Sequence, residues 1–165
     1  MKNLILYLAI VLSLSSVAQD KKAYQIFDKN GKKTSYEKLL KAGEKADVVL
    51  FGEMHDNSII HWLQLELTKD LAQKKNLVLG AEMFEADNQD ELNGYLSGKI
   101  NQRQLDTTAR LWKNYRTDYK PLVEFAKEKK FSFIATNIPR KFASLVYKNG
   151  FQALDSLSTE QKSWI

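Results

Sequence analysis

Three short apolar runs constrain this chain more than any other feature. They are Asp47-Val48-Val49-Leu50-Phe51-Gly52, Leu77-Val78-Leu79-Gly80-Ala81 and Phe131–Ala135. Runs of this length, nearly free of alternation, are expected of strands buried on both faces. Helical signals separate them. Asn57 and Ser58 suit a helix cap, and Ile59, Leu63, Leu67 and Leu71 then recur at helical spacing. Asp87 is the expected N-cap of a helix through Tyr95 that Gly98 closes. Asp118 is the expected cap of another, with Pro121 in its first turn and its end near Lys130. Lys141–Asn149 reads as a helix closed by Gly150. Alternating strands and helices predict an α/β fold, with a parallel or mostly parallel sheet flanked by helices. Ahead of the first run, Tyr24–Phe27 and Lys33–Ser35 flank Asn30-Gly31, a two-residue hairpin signal. Ser35 then caps a short helix ending near Gly43.

The two ends carry different signals. Lys2, the apolar stretch Leu4–Leu14 and the small residues Ser16-Val17-Ala18 have the three-part layout of a secretory signal peptide. The expected organisation is a signal peptide over 1–18 and one domain over 19–165, working outside the cytoplasm. At the other end, Ser158-Thr159-Glu160-Gln161 is a capping box that announces a helix shortly before the chain stops at Ile165. Three strands are few for an open α/β sheet, so the domain is expected to be incomplete at its C-terminus.

Composition removes whole classes of function. The 165 residues include no cysteine, which excludes disulfide scaffolds, thiolate metal sites, cysteine nucleophiles and a lipoprotein anchor. The formal charge of +5 permits an anionic ligand. Its lysines are mixed with acidic residues and accompany no RNA-type aromatic motif, so nucleic acid is not an expected partner. No GxGxxG, P-loop or GxSxG motif occurs.

Ligands in open parallel sheets bind at the carboxyl ends of strands. The expected ends carry Glu53 and His55, then Glu82, then Asn137 and Arg140, far apart in sequence yet placed on one rim. Glu53 and His55 lie two apart, and with Glu82 they are candidate ligands for a divalent metal or groups for acid–base work. His61 is six residues beyond His55, which is not the HExxH spacing. It suits a buried, satisfied imidazole as well as a ligand. Trp112, Tyr115 and Tyr119 share one face if helical, interleaved with Lys113, Asn114, Arg116 and Asp118. Such a surface suits a flat, anionic, iron-bearing ligand, and tyrosinate is one of the few axial haem ligands open to a cysteine-free chain. Cations beside Tyr115 and Tyr119, and a helix start at Tyr119, would favour a phenolate. Tyr119 is the first choice on that ground, with Tyr115 and Tyr95 competing and His55 and His61 as further contacts to iron or propionate.

Four segments in order carry a family resemblance. Val48–Asp56, Gly80–Glu85, Tyr119–Ala126 and Asn137–Arg140 resemble the ChaN-type haem-binding uptake family, within the Tiki/erythromycin-esterase-like superfamily. The resemblance covers the chain from about Tyr24 onward. It implies an exported haem-binding protein of haem and iron uptake, in the periplasm or at the outer membrane. It also implies haem held in a homodimer, with tyrosine on iron and His and Lys at the propionates, and an outer-membrane haem receptor as partner. Gly52–His55 matches the superfamily's GxxH motif and Glu82 its strand-end glutamate. The alternative implied is a metal-dependent hydrolase or peptidase using Glu53, His55 and Glu82.

Overall fold

The computed structural model describes residues 22–165, which fall in two units divided after Ser35. The expected signal segment lies outside the described residues. In the first unit β1 (Ile26–Phe27) pairs antiparallel with β2 (Lys33–Thr34). The expected hairpin is present, but its loop runs from Asp28 to Lys32 and is wider than two residues. Asp28 organises it by accepting hydrogen bonds on Oδ1 from the Asn30 and Lys32 amides, at 2.9 and 3.0 Å. Gly31, at φ 73°, takes the left-handed conformation the loop requires.

The second unit opens with α1 (Tyr36–Lys45) and α2 (Ser58–Ala72), which pack together. Gly43 is buried at their contact, where a Cβ would stand 3.3 Å from a Leu71 methyl. Asn57 caps α2 as expected, its side chain accepting from the Ile59 and Ile60 amides. Next come β3 (Val78–Glu85), a 3₁₀ turn (Ala86–Asn88), α3 (Gln89–Leu96) and α4 (Gln102–Thr108). A π-helical turn (Tyr115–Tyr119) leads directly into α5 (Lys120–Lys129), and β4 (Ser132–Asn137) follows. The chain ends with α6 (Arg140–Asn149), a 3₁₀ turn (Phe151–Ser156) and α7 (Thr159–Lys162). The expected α/β class is what the chain adopts: β3 and β4 run parallel, from Val78 beside Ser132 to Ala81 beside Ala135.

The core lies on one face of that pair. Ala81 and Met83 of β3 and Phe133 and Ala135 of β4 face inward, where Leu92, Leu105, Val123 and Ala126 meet them. Gly80, Glu82, Ile134 and Thr136 alternate onto the exposed face. The second and third apolar runs are therefore strands, as expected, but they are covered on one side only. Alternation is visible only once register is known.

Four other expectations change, and one helix is unexpected. The first apolar run is not a strand: among the described residues nothing pairs with it, and Val48 and Leu50 are 73% and 92% exposed. Its Val48 and Val49 instead line a shallow apolar cleft with Leu39 and Ala42 of α1 and Leu67 of α2. Asp87 does not cap α3, because Arg110 and Lys141 engage its carboxylate. Asp118 does not cap α5; it accepts from Asn114 inside the π turn. α4 has no counterpart among the expected helices; a capping box of Asn101 and Gln104 opens it. α1 continues two residues past Gly43 to Lys45. The C-terminal capping box forms as expected, with Ser158 and Gln161 exchanging hydrogen bonds.

One feature of the sheet has no sequence signal. Gln89, the first residue of α3, donates from Nε2 to the Phe133 carbonyl and accepts from the Ala135 amide, at 2.9 and 2.7 Å. A side-chain amide thus occupies the outer edge of β4 as a neighbouring strand would.

Candidate functional site

The segment after the first apolar run meets α2 and the π turn around one carboxylate. Glu53 sits with its side chain 12% exposed. Its Oε1 is 3.0 Å from His55 Nδ1 and accepts the Tyr119 hydroxyl at 2.8 Å. Its Oε2 accepts the Gln64 amide at 2.9 Å and lies 3.4 Å from His61 Nδ1. Burial acts to raise the Glu53 pKa, but hydrogen bonds from Gln64, His55 and Tyr119, with a charge contribution from His61, outweigh it and hold the group below 4.5. Glu53 is therefore an anion at neutral pH.

That charge fixes the His55 tautomer. A carboxylate only accepts, so Nδ1 of His55 carries the proton and donates it to Glu53. In the neutral ring Nε2 is then a bare lone pair, and it has no hydrogen-bond partner among the described residues. The side chain is 57% exposed. Its ring stands edge-on to Trp112, with centroids 4.9 Å apart, and Trp112 stands edge-on to Tyr119 at 5.8 Å.

The backbone of His55 is held as firmly as its ring. Its carbonyl accepts from His61 Nε2 at 3.1 Å and from Asn114 Nδ2 at 2.6 Å. His61, one turn into α2 and 3% exposed by side chain, packs its ring against Tyr119 at 4.7 Å. Both readings of His61 meet here: the imidazole is buried, and it belongs to the site, its Nε2 donating to the His55 carbonyl while its Nδ1 faces two acceptor oxygens, Gln64 Oε1 at 3.3 Å and Glu53 Oε2 at 3.4 Å.

The tyrosines depart from expectation. Tyr115 and Tyr119 are 2% and 3% exposed, so the aromatic stripe is largely core. The electrostatics of Tyr119 are the reverse of those suggested by its neighbours in sequence. Burial and then the Glu53 carboxylate push its pKa up, because Glu53 rather than Lys120 faces its hydroxyl. Burial likewise pushes Tyr115 up to about 12, and its ring packs on Phe84. Tyr95 donates to Glu124 beneath the Lys127 ammonium, and burial with that carboxylate raises it as well. All three phenols are held protonated.

Glu82 and Arg140 stand apart from the cluster. Glu82 is exposed on the outer face of β3, where strand alternation puts it opposite Ala81 and Met83. Arg140 is exposed at the start of α6, and its backbone amide donates to Glu85. Among the described residues no three His, Asp or Glu side chains are placed to hold a metal ion, so Glu53, His55 and Glu82 do not assemble as a metal set. The single rim fails because the first run is no part of the sheet. The strand-end glutamate that pairs with an arginine is Glu85, bound to Arg110 at 2.9 Å. Sequence reasoning missed Gln64 and Asn114. The one available signal was Gln64's position three residues after His61, on the same helical face.

Two comparisons bear on this arrangement. A family model described as haem-binding uptake, Tiki superfamily, ChaN matches residues 39–165. Among solved structures, "Cofacial heme binding to ChaN of Campylobacter jejuni" is similar at 25% identity with a TM-score of 0.64. The match covers 79% of this chain and 55% of that one, so the chain spans about half the length of its solved relative. No curated protein matches at a significant level.

Proposed function

The chain belongs to the haem-binding uptake family, ChaN, of the Tiki superfamily, and from that premise we propose that it binds haem through His55. The observation that carries this reading is the His55 imidazole, with Nδ1 committed to Glu53 and Nε2 open on an exposed ring. Protein ligands to haem iron include neutral imidazole, and a ligating histidine characteristically donates its other ring N–H to a carboxylate. The donor set therefore fits haem. His55 would hold the iron, Trp112 would flank the ring, and Glu53, His61 and Asn114 would fix the ligand's orientation. Tyr119 serves from behind, since its side chain is buried and its hydroxyl donates to Glu53 at 2.8 Å.

The solved relative from Campylobacter jejuni binds haem cofacially. Haem held between two copies of this chain, as part of haem and iron uptake, is the corresponding proposal here. The signal-peptide layout of Lys2 to Ala18 supports export, and with it a periplasmic or outer-membrane setting and transfer to or from an outer-membrane haem receptor. Among the described residues no helix is long and apolar enough to cross a membrane.

The test is titration of the full chain with haemin, read in the Soret band, for the parent, His55→Ala and Tyr119→Phe. Loss of the Soret shift in His55→Ala with retention in Tyr119→Phe supports the reading. Retention in His55→Ala, with loss of a phenolate charge-transfer band in Tyr119→Phe, overturns it in favour of tyrosine ligation.

A further inference from the structure

We propose that Tyr115 and Gln102 hold one ordered water molecule between them, and that this water ties α4 to the π turn. The inference stands apart from any reading of the candidate site's ligand. It starts from two buried oxygen atoms, the Tyr115 hydroxyl and Gln102 Oε1, which meet no hydrogen-bond partner among the described residues. Tyr115 is 2% exposed, so its hydroxyl is shut off from bulk solvent. Polar atoms enclosed in this way nearly always have a partner, and two orphans facing one region call for a shared one.

The surrounding bonds keep the two atoms from satisfying each other. The Gln102 amide donates from Nε2 to Asp106 Oδ1 at 2.8 Å, and Asp106 is in turn ion-paired with Arg116. A carboxylate only accepts, so turning the amide over would set Oε1 against another acceptor. Oε1 is therefore fixed away from Asp106 and needs a donor, while the Tyr115 hydroxyl needs an acceptor for its proton. The neighbouring Tyr95 hydroxyl is already spent on Glu124. Burial acts most on the Tyr115 hydroxyl, raising its pKa; the Gln102 side chain acts next, lowering it, and the Glu124 and Asp106 carboxylates raise it again. Gln102 and both carboxylates thus lie around one oxygen. A water there accepts from the hydroxyl, donates to Oε1 and has a carboxylate for its second proton, which meets the need of a buried water for several polar partners. The bridge matters because of what the π turn carries. Asn114, just ahead of Tyr115, donates to the His55 carbonyl, and Tyr119 at the turn's end donates to Glu53. Tying Tyr115 to α4 braces the end of the turn from which both are aimed.

The direct test is a crystal structure of the full chain. A water peak within hydrogen-bonding distance of both oxygens is the expected result. A direct bond between the two side chains, or no density between them, overturns the proposal. Urea denaturation tests the energetics on Tyr115→Phe, Gln102→Leu and the double variant. Tyr115→Phe removes the hydroxyl alone. With a water bound there, the folding equilibrium constant should fall about fivefold. Removing an orphaned hydroxyl would instead leave the constant unchanged or raise it, because the cost of burying that group disappears, and this outcome overturns the proposal.

The two residues must also be coupled. In the Gln102→Leu background the water has already lost one partner, so the further penalty of Tyr115→Phe should shrink by about half or more. An equal penalty in both backgrounds would mean that the residues share nothing, and overturns the proposal. Hydrogen exchange checks the brace itself: backbone amides over 115–119 should exchange faster in Tyr115→Phe, by a larger factor than those of β3. Equal acceleration in both segments would show that the water braces nothing local and overturns that part of the inference. If Gln102→Leu does not fold, as read by circular dichroism, the crystal structure and Tyr115→Phe decide on the same terms.

Discussion

Two carboxylate clusters in this protein are built around the same acidic chemistry to opposite effect. Around Glu53 the donors are a neutral amide, a phenol and imidazoles, and one imidazole keeps a nitrogen open to solvent. Around Asp87, just past the end of β3, the partners are Arg110 and Lys141, and Arg110 also engages Glu85. Full cations on carboxylates leave little charge to act on anything else, so the Asp87 cluster is a clasp joining the 3₁₀ turn, the α4–π-turn connection and α6. No Lys or Arg meets Glu53 among the described residues; its hydrogen-bond partners are Gln64, Tyr119 and His55, with His61 Nδ1 at 3.4 Å, so part of its charge is left to act on His55. Candidate sites in such a chain are therefore recognised by what neutralises the carboxylate, not by the carboxylate's presence.

The sharpest way to break the comparison is to remove the hub of the first cluster. Glu53→Ala leaves the Tyr119 hydroxyl, the Gln64 amide and a ring nitrogen of His55 without their acceptor. The expected cost is roughly 2–3 kcal/mol in stability, by urea denaturation. Haem affinity should fall about 10- to 100-fold, the range for lost partners of a metal-binding histidine. An unchanged affinity would place the ligand elsewhere.

The structural side of the comparison is tested next by Gln89→Ala, at the start of α3 beside the clasp. It strips partners from the Phe133 carbonyl and the Ala135 amide on the edge of β4, and both residues are buried. An expected loss of about 1–3 kcal/mol in urea, with haemin titration unaffected, separates fold from site. Asp87→Asn should cost less, about 1 kcal/mol, because Arg110 and Lys141 are half exposed and regain water when released. That loss should shrink in high salt, and the Soret titration should not change.

How much of this is legible in the sequence depends on whether a residue's partner is near in the chain. The helix starts at Asn57, Asn101 and Ser158 are local hydrogen bonds, and residue type and spacing announce the first and last. Glu53 and His55 stand out because they follow an apolar run two residues apart, and Tyr119 because cations and an expected helix start flank it. Their grouping is not legible, since Tyr119 is 66 positions from Glu53 and only the fold brings them together. The same distance explains the inverted electrostatics of Tyr119, where adjacent lysine suggests a phenolate and a remote glutamate instead pushes the phenol's pKa up, after burial. Val48–Leu50 misleads for a related reason: apolar content announces burial, but a strand needs a partner that composition does not name.

The smallest expected effect concerns acid stability, and it turns on the sign of the Glu53 perturbation. Its pKa in the folded chain lies below the ordinary 4.5, the outcome of burial being outweighed by hydrogen bonds from Gln64, His55 and Tyr119, with a charge contribution from His61. The unfolded chain therefore takes up a proton at Glu53 before the folded chain does. Stability from this group is fully present above about pH 4.5 and is lost as pH falls through the lower, folded value. Because burial works against the hydrogen bonds, the net contribution is modest, and it is best read as a difference in slope. Urea midpoints of the parent and Glu53→Gln, measured from neutral pH downward, should run parallel above pH 4.5 and converge below it as the parent loses its advantage. Parallel curves across the whole acid range would mean that Glu53 is not held as a carboxylate by its neighbours. The charge that distinguishes its cluster from the Asp87 clasp would then be absent.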